Sequence, residues 1–196
     1  LATQGVNVNQ AQSNGATPLY MASQEGHAKV VSMLLAKQGV DVNQARNDGA
    51  TPLLIASHKG HAEVVSMLLA TEGIDVNQAG EDGATPLFMA SQEGHAEVVS
   101  MLLAKQGVNV NQARDNGCTP LLIASTNGHA GVVSMLLAKQ GVDVNQAKND
   151  GWTPLYIASQ KGHAEVVLFI AIQKGHADVV SMLLAKQGVD VNQAKN

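Results

Sequence analysis

The stretch Asp41 to Ile74 reads DVNQARNDGATPLLIASHKGHAEVVSMLLATEGI, and its interpretation decides the fold. Asp48-Gly49 is a tight-turn dipeptide, because glycine takes positive φ without steric cost. Thr51 stands where a helix cap belongs and Pro52 at the first helical residue, where its missing N–H costs nothing. That helix is short, turns Leu53, Ile55 and Ala56 inward, and stops at Gly60, a left-handed C-cap. A second helix runs from about Ala62 to Thr71, with Val64, Val65, Met67, Leu68 and Leu69 making a broad apolar face. Glu63 in its first turn, and lysine in the last turn of most other copies, suit the helix dipole. Gly73 ends it, and an extended Asp-Val-Asn stretch leads into the next turn.

The same unit recurs. Thr-Pro-Leu returns at Thr17, Thr51, Thr85, Thr119 and Thr153, every 34 residues. The turn dipeptides Asn14-Gly15, Asp82-Gly83, Asn116-Gly117 and Asp150-Gly151 keep step with Asp48-Gly49. A fixed period of this length marks a solenoid of stacked supersecondary units, none of which can bury its apolar face alone.

The unit resembles the ankyrin repeat over nearly the whole chain. The residues carrying the resemblance are Gly-Ala-Thr-Pro-Leu at 49–53, Gly60-His61, the Glu-Val-Val and Met-Leu-Leu of the second helix, and Gly-Ile-Asp-Val-Asn at 73–77. The resemblance implies an all-α solenoid of antiparallel helix pairs, with β-hairpin finger loops projecting to one side. It also implies that the Gly-His histidine bridges loop backbones. Three departures stand out: one extra residue near Gln38 and its equivalents, Tyr20, Leu54, Phe88, Leu122 and Tyr156 where the family has histidine, and serine (Ser23, Ser57, Ser91, Ser125, Ser159) as the second small residue of the first helix. The lost histidine removes one hydrogen-bonding device between loops.

On this register the chain is a single solenoid over 1–196. Residues 1–6 end a truncated repeat, 7–40, 41–74, 75–108 and 109–142 are full repeats, 143–175 is a repeat merging into a compressed junction, and 176–196 is a last helix and the start of another finger. The junction shows in the histidines: His163 is followed by His176 after only 13 residues. Ala164–Gln173 can therefore serve as the second helix of one copy or the first of the next. Three antiparallel helices are expected, Pro154–Gln160, Ala164–Gln173 and Ala177–Lys186, with the middle one buried all round. The alternative is that 21 residues belong at the 167/168 junction. Neither end carries a polar cap, so the segment is expected to belong to a longer chain or larger assembly.

Composition bounds the function classes. Aromatic residues make up only 3% of the chain, leaving burial to aliphatic side chains. A net charge of −4 has the wrong sign for binding a phosphate backbone, so no nucleic-acid partner is expected. No apolar run approaches the ~20 residues of a membrane span. Cys118 is the single cysteine, so no internal disulfide forms, pointing to an intracellular, cytoplasmic setting.

Site chemistry is sparse. The periodic histidines lie too far apart to converge on one metal, since stacked helices stand ~8–10 Å apart and zinc ligands ~2.1 Å from their ion. His58 stands outside that pattern and reads as a solvated side chain. Cys118 lacks an activating base and reads as a packing substitution. No phosphate loop, dinucleotide fingerprint or nucleophile motif is present. The expectation is a non-enzymatic chain with no cofactor and no metal.

Copies differ where partners would bind. The variable finger residues include Arg46, Asn47, Asp48, Glu81, Asp82, Arg114, Asp115, Asn116, Lys148, Asn149 and Trp152. At the exposed end of the first helix stand His58, Lys59, Gln92, Glu93, Thr126, Asn127, Gln160 and Lys161, with Tyr156 one turn earlier. In the ankyrin family the matching positions line a concave groove that grips partner proteins or peptides. Free drift of exposed positions would give the same pattern. Trp152 is the only tryptophan, and is either a binding anchor or a filler beside the irregular junction. Two functional readings follow: protein or peptide recognition along the groove, or a repetitive structural spacer in a larger assembly.

Overall fold

The computed structural model describes residues 7–175. Ten helices are found among them, in five pairs: α1 Pro18–Gln24 and α2 Ala28–Leu35, α3 Pro52–Lys59 and α4 Ala62–Ala70, α5 Pro86–Glu93 and α6 Ala96–Ala104, α7 Pro120–Asn127 and α8 Ala130–Ala138, α9 Pro154–Lys161 and α10 Ala164–Gln173. Each odd-numbered helix starts at Thr-Pro for the expected reason: the threonine Oγ1 accepts the backbone N–H three residues on, as Thr51 does from Leu54 at 3.1 Å. α3, α5, α7 and α9 are closed by glycines in the left-handed conformation, Gly60 at φ 74° among them.

The pairs stack into two layers. In one, α1, α3, α5, α7 and α9 contact one another in order; in the other, α2, α4, α6, α8 and α10 do. A continuous apolar core from Leu19 to Ile170 lies between the layers. Val64, Val65, Leu68 and Leu69 are buried as the α4 pattern predicts, while Met67 is half-buried.

Hydrogen bonds then lock each pair to the next. His61 Nε2 meets Gln24 O at 3.0 Å, and His95, His129 and His163 make the same bridge to the carbonyls of His58, Gln92 and Thr126. The facing glycine is needed twice over. Gly60 sits at positive φ, and a Cβ there would come within 2.7 Å of the His95 ring. A second clip uses asparagine: Asn43 Nδ2 donates to Gly73 O at 2.7 Å while its Oδ1 accepts from Asp75 N at 3.0 Å. Asn9, Asn77 and Asn111 repeat it. Lys105 and Lys139 do more than complement a dipole, since each Nζ donates to a terminal carbonyl of the preceding even-numbered helix, Leu69 or Leu103, at 2.6 Å.

The fingers are tight hairpin turns. Arg46 N donates to Ala50 O and Gly49 N to Arg46 O, with Gly49 at φ 77°, a three-residue loop ending in a left-handed residue. No extended strand forms among the described residues. Successive fingers are joined by one backbone bond each, such as Asn47 N to Asn14 O at 3.0 Å.

At the junction, α10 packs against α8 and α9, taking the place of a second helix. The expectation of all-round burial is not met. Val166, Ile170 and Ala171 are buried, but Val167, Leu168 and Phe169 are half-buried and Ile172 is exposed; among the described residues α8 and α9 are the helices packed on it. The helix expected over Ala177–Lys186 lies outside the described residues.

Candidate partner-binding groove

The fingers and the odd-numbered helices together form the walls and floor of a groove. Its floor carries one residue per pair, Tyr20, Leu54, Phe88, Leu122 and Tyr156, each three residues past its capping threonine. The finger of the next copy sets what lies near a floor residue: Arg46 for Tyr20, Gly80 for Leu54, Arg114 for Phe88 and Lys148 for Leu122. Arg46 places its guanidinium 5.2 Å from the Tyr20 ring centre, and Arg114 lies 5.3 Å from that of Phe88. Cations favour the negative face of an aromatic ring, so the two aromatic floor positions of copies one and three are roofed.

Ion pairs hold these roofs. Arg46 bonds Asp48 within its own finger, and Arg114 reaches back to Asp82 of the preceding one. The Arg46 guanidinium holds the Asp48 carboxyl below its usual range, and the Asp48 hydrogen bond raises Arg46 in turn. Lys148 behaves differently. Its Nζ pairs with Asp150 at 2.9 Å and lies 5.7 Å from the ring of Trp152 in its own finger, while Leu122 is itself buried.

Two cavities lie at the two leucine positions of the floor. The first, about 340 Å³, lies over Leu54 and is lined by Tyr20, Arg46, Asp48, His58, Glu81, Asp82 and Met89, among others. The second, about 280 Å³, lies over Leu122 and is lined by Asn116, Cys118, Thr126, Lys148, Trp152 and Lys161, among others. The first cavity is predominantly acidic and the second basic. The apolar layer beneath the fingers breaks at the first cavity: one cluster holds Tyr20, Ala50 and Leu54, the next Ala84, Phe88, Cys118 and Leu122, with Met89 packed against both.

The sequence-selected residues divide by what their side chains do. Arg46, Asp48, His58, Glu81 and Asp82 come together at the first cavity, where His58 Nε2 also lies 3.6 Å from Glu93. Asn116, Thr126, Lys148, Trp152 and Lys161 meet at the second. Asn47 and Asn149 donate to the neighbouring fingers, at Ser13 O and Asp115 O, and Asn127 donates to Gln92 O at 2.8 Å. Gln92 is half-buried and bonds Glu93 at 2.8 Å. Lys59, Asp115 and Gln160 are exposed. Tyr156 is exposed and tilted against Trp152, centroids 5.6 Å apart. Trp152 is half-buried, with its ring packed between Lys148 and Tyr156.

Cys118 is buried, and burial pushes its thiol up to about 11, so it is protonated and unreactive at neutral pH. Sequence reasoning missed the asparagine clip, although Val-Asn recurs at 34-residue spacing and carried the signal. Gly80 belongs to the variable finger positions of the sequence, but its place is conspicuous only once Arg46 and Arg114 are seen over Tyr20 and Phe88. Among the described residues no cluster of three or more His, Cys, Asp or Glu is arranged to hold a metal ion. None of the helices there is long and apolar enough to cross a membrane.

Stacked helix pairs, interlocked copy to copy and open along one side, define a repeat solenoid whose usable surface is a groove. Family comparison gives the class its name. The model of three successive ankyrin repeats matches residues 38–114, 69–147 and 106–170, and the single ankyrin-repeat model matches 14–47 and 167–196. The chain belongs to the ankyrin-repeat family. Ankyrin repeats are generally protein–protein interaction modules. Comparison with curated proteins finds no match. The matches ending at 170 and starting at 167 overlap inside α10, the segment readable as either helix of a pair.

Proposed function

We propose that this chain is a non-enzymatic recognition module that binds an extended segment of a partner protein along its concave groove. The observation that carries this reading is the coincidence of sequence variation with open space. Positions that differ between copies gather at two cavities in the groove, while the clips joining the pairs repeat almost unchanged. A backbone locked by repeated clips presents its side chains without first ordering a loop, which lowers the entropy cost of binding. Trp152 and Tyr156 would supply aromatic contact area at the basic end, the residue type that dominates binding energy elsewhere.

The spacer reading draws on those same repeated clips, and one experiment separates the two. Candidate partners captured by the purified chain are titrated by calorimetry against the parent and against Trp152→Ala and Glu81→Lys. Saturable binding, weakened at least about tenfold (1.4 kcal/mol) by either variant at unchanged melting temperature, supports groove recognition. Absence of saturable binding, or binding indifferent to both changes, contradicts it.

A further inference from the structure

The first cavity is lined by Gly80, the one finger-opening residue without a side chain. Gly80 opens the third finger at the position held by Arg46 and Arg114 in the second and fourth. Its backbone follows the same path, with Gly80 N bonded to Ala84 O at 3.0 Å as Arg46 N is to Ala50 O at 2.9 Å. Unlike the turn glycines it does not adopt positive φ, so no conformational need explains its presence. A Cβ added there would meet Asp48 O at 3.5 Å, Asp82 Oδ1 at 3.7 Å and Leu54 Cδ1 at 3.8 Å, all ordinary contacts. The space beyond is where a guanidinium would lie over Leu54, as those of Arg46 and Arg114 lie over Tyr20 and Phe88.

What surrounds that space suits a cation. Asp48 and Asp82 are each neutralised by an arginine of the chain, but Glu81 has no ion-pair partner among the described residues and stands exposed on the rim. A second, independent observation comes from Tyr20. It lines the same cavity, is 1% exposed, and its Oη has no hydrogen-bond partner among the described residues. Burial keeps this phenol in its neutral form. A buried hydroxyl without a partner is costly, and a donor N–H entering from the groove would satisfy it. Arginine fits better than lysine, because its planar fork of donors can engage a carboxylate and a hydroxyl while its flat face rests on apolar floor.

We propose that the cavity over Leu54 is a socket for an arginine side chain of the bound partner, which takes the place the chain's own arginines occupy over Tyr20 and Phe88. This rests on groove recognition and specifies its chemistry: the partner segment presents a guanidinium at the third finger.

The test uses N-acetyl-arginine amide as probe and N-acetyl-citrulline amide as its uncharged counterpart. Each is titrated into the ¹⁵N-labelled chain at ~0.15 M ionic strength, which screens diffuse attraction. Saturable amide shifts confined to Leu54, Gly80, Glu81 and Asp82 are expected with the arginine probe, and affinity at least about tenfold weaker with citrulline. Gly80→Arg, which restores the residue found in two sister fingers, should abolish the shifts without lowering the melting temperature. Glu81→Gln should weaken them in a chain whose cavity is unchanged. Absent shifts, shifts spread over every exposed carboxylate, or shifts surviving Gly80→Arg would overturn the socket. With a protein partner in hand, binding that survives Gly80→Arg but is lost in Lys161→Glu sinks the socket and leaves groove recognition standing. Arginine bound at Gly80 in a chain that binds no protein does the reverse.

Discussion

Tyr20 and Tyr156 occupy equivalent floor positions, yet one is 1% exposed and the other 56%. On the opposite layer, Val98 is 1% exposed and its equivalent Val30 is 44%. Residue type and local helix are the same within each pair, so the difference lies in the neighbour. Tyr20 is covered by Arg46 of the next finger, whereas among the described residues Tyr156 packs against Trp152 of its own finger. Burial in this molecule is a property of the junction between copies, as expected where each unit contacts only its neighbours.

Substitutions at equivalent positions turn that contrast into numbers. The largest gap should separate Phe88→Ala from Tyr156→Ala. The first empties a fully buried site and should cost about 3–5 kcal/mol. The second, on an exposed side chain, should stay within about 0.5 kcal/mol, both read by urea denaturation. Equal losses would mean that position within the array does not set burial. The histidine bridge comes next. His95→Ala leaves the His58 carbonyl without its donor and should cost about 1–3 kcal/mol, whereas exposed His27, with no bridge among the described residues, should tolerate alanine. Thr85→Ala removes only a cap and should cost about 1 kcal/mol.

The smallest effect concerns pH. The Cys118 thiol is raised from its ordinary 9.0 to about 11 by burial. Between those values the unfolded chain loses this proton and the folded chain keeps it, so the stability contribution is present below about pH 9 and lost as pH rises toward 11. The melting temperature of the parent should therefore fall more steeply over that window than that of Cys118→Ala, which carries the residue found in three sister fingers. Parallel curves would show that the thiol is not shielded.

Much of this was legible in the sequence because the determinants are local. Thr-Pro fixes each cap, the turn glycines fix each reversal, and the 3.6-residue apolar spacing of the even-numbered helices fixes which face is buried. The histidine bridge was legible only through family resemblance, since nothing within one copy says where the imidazole reaches. Three features depend on distances between copies and stayed hidden. The roles of Asn43 and its equivalents require the next pair to be in place. The choice made by α10 depends on which neighbours it meets, and its mixed apolar pattern suits either. The two cavities depend on how neighbouring copies meet around Leu54 and Leu122, which no motif within one copy records.

The groove claim can be met head-on by site-specific photocrosslinking of a bound partner. A benzoylphenylalanine placed at Asp115, exposed on the fourth finger, should crosslink the partner, and one at Ser100, exposed on α6, should not. Crosslinks from Ser100 with none from Asp115 would place recognition on the opposite face and contradict the account.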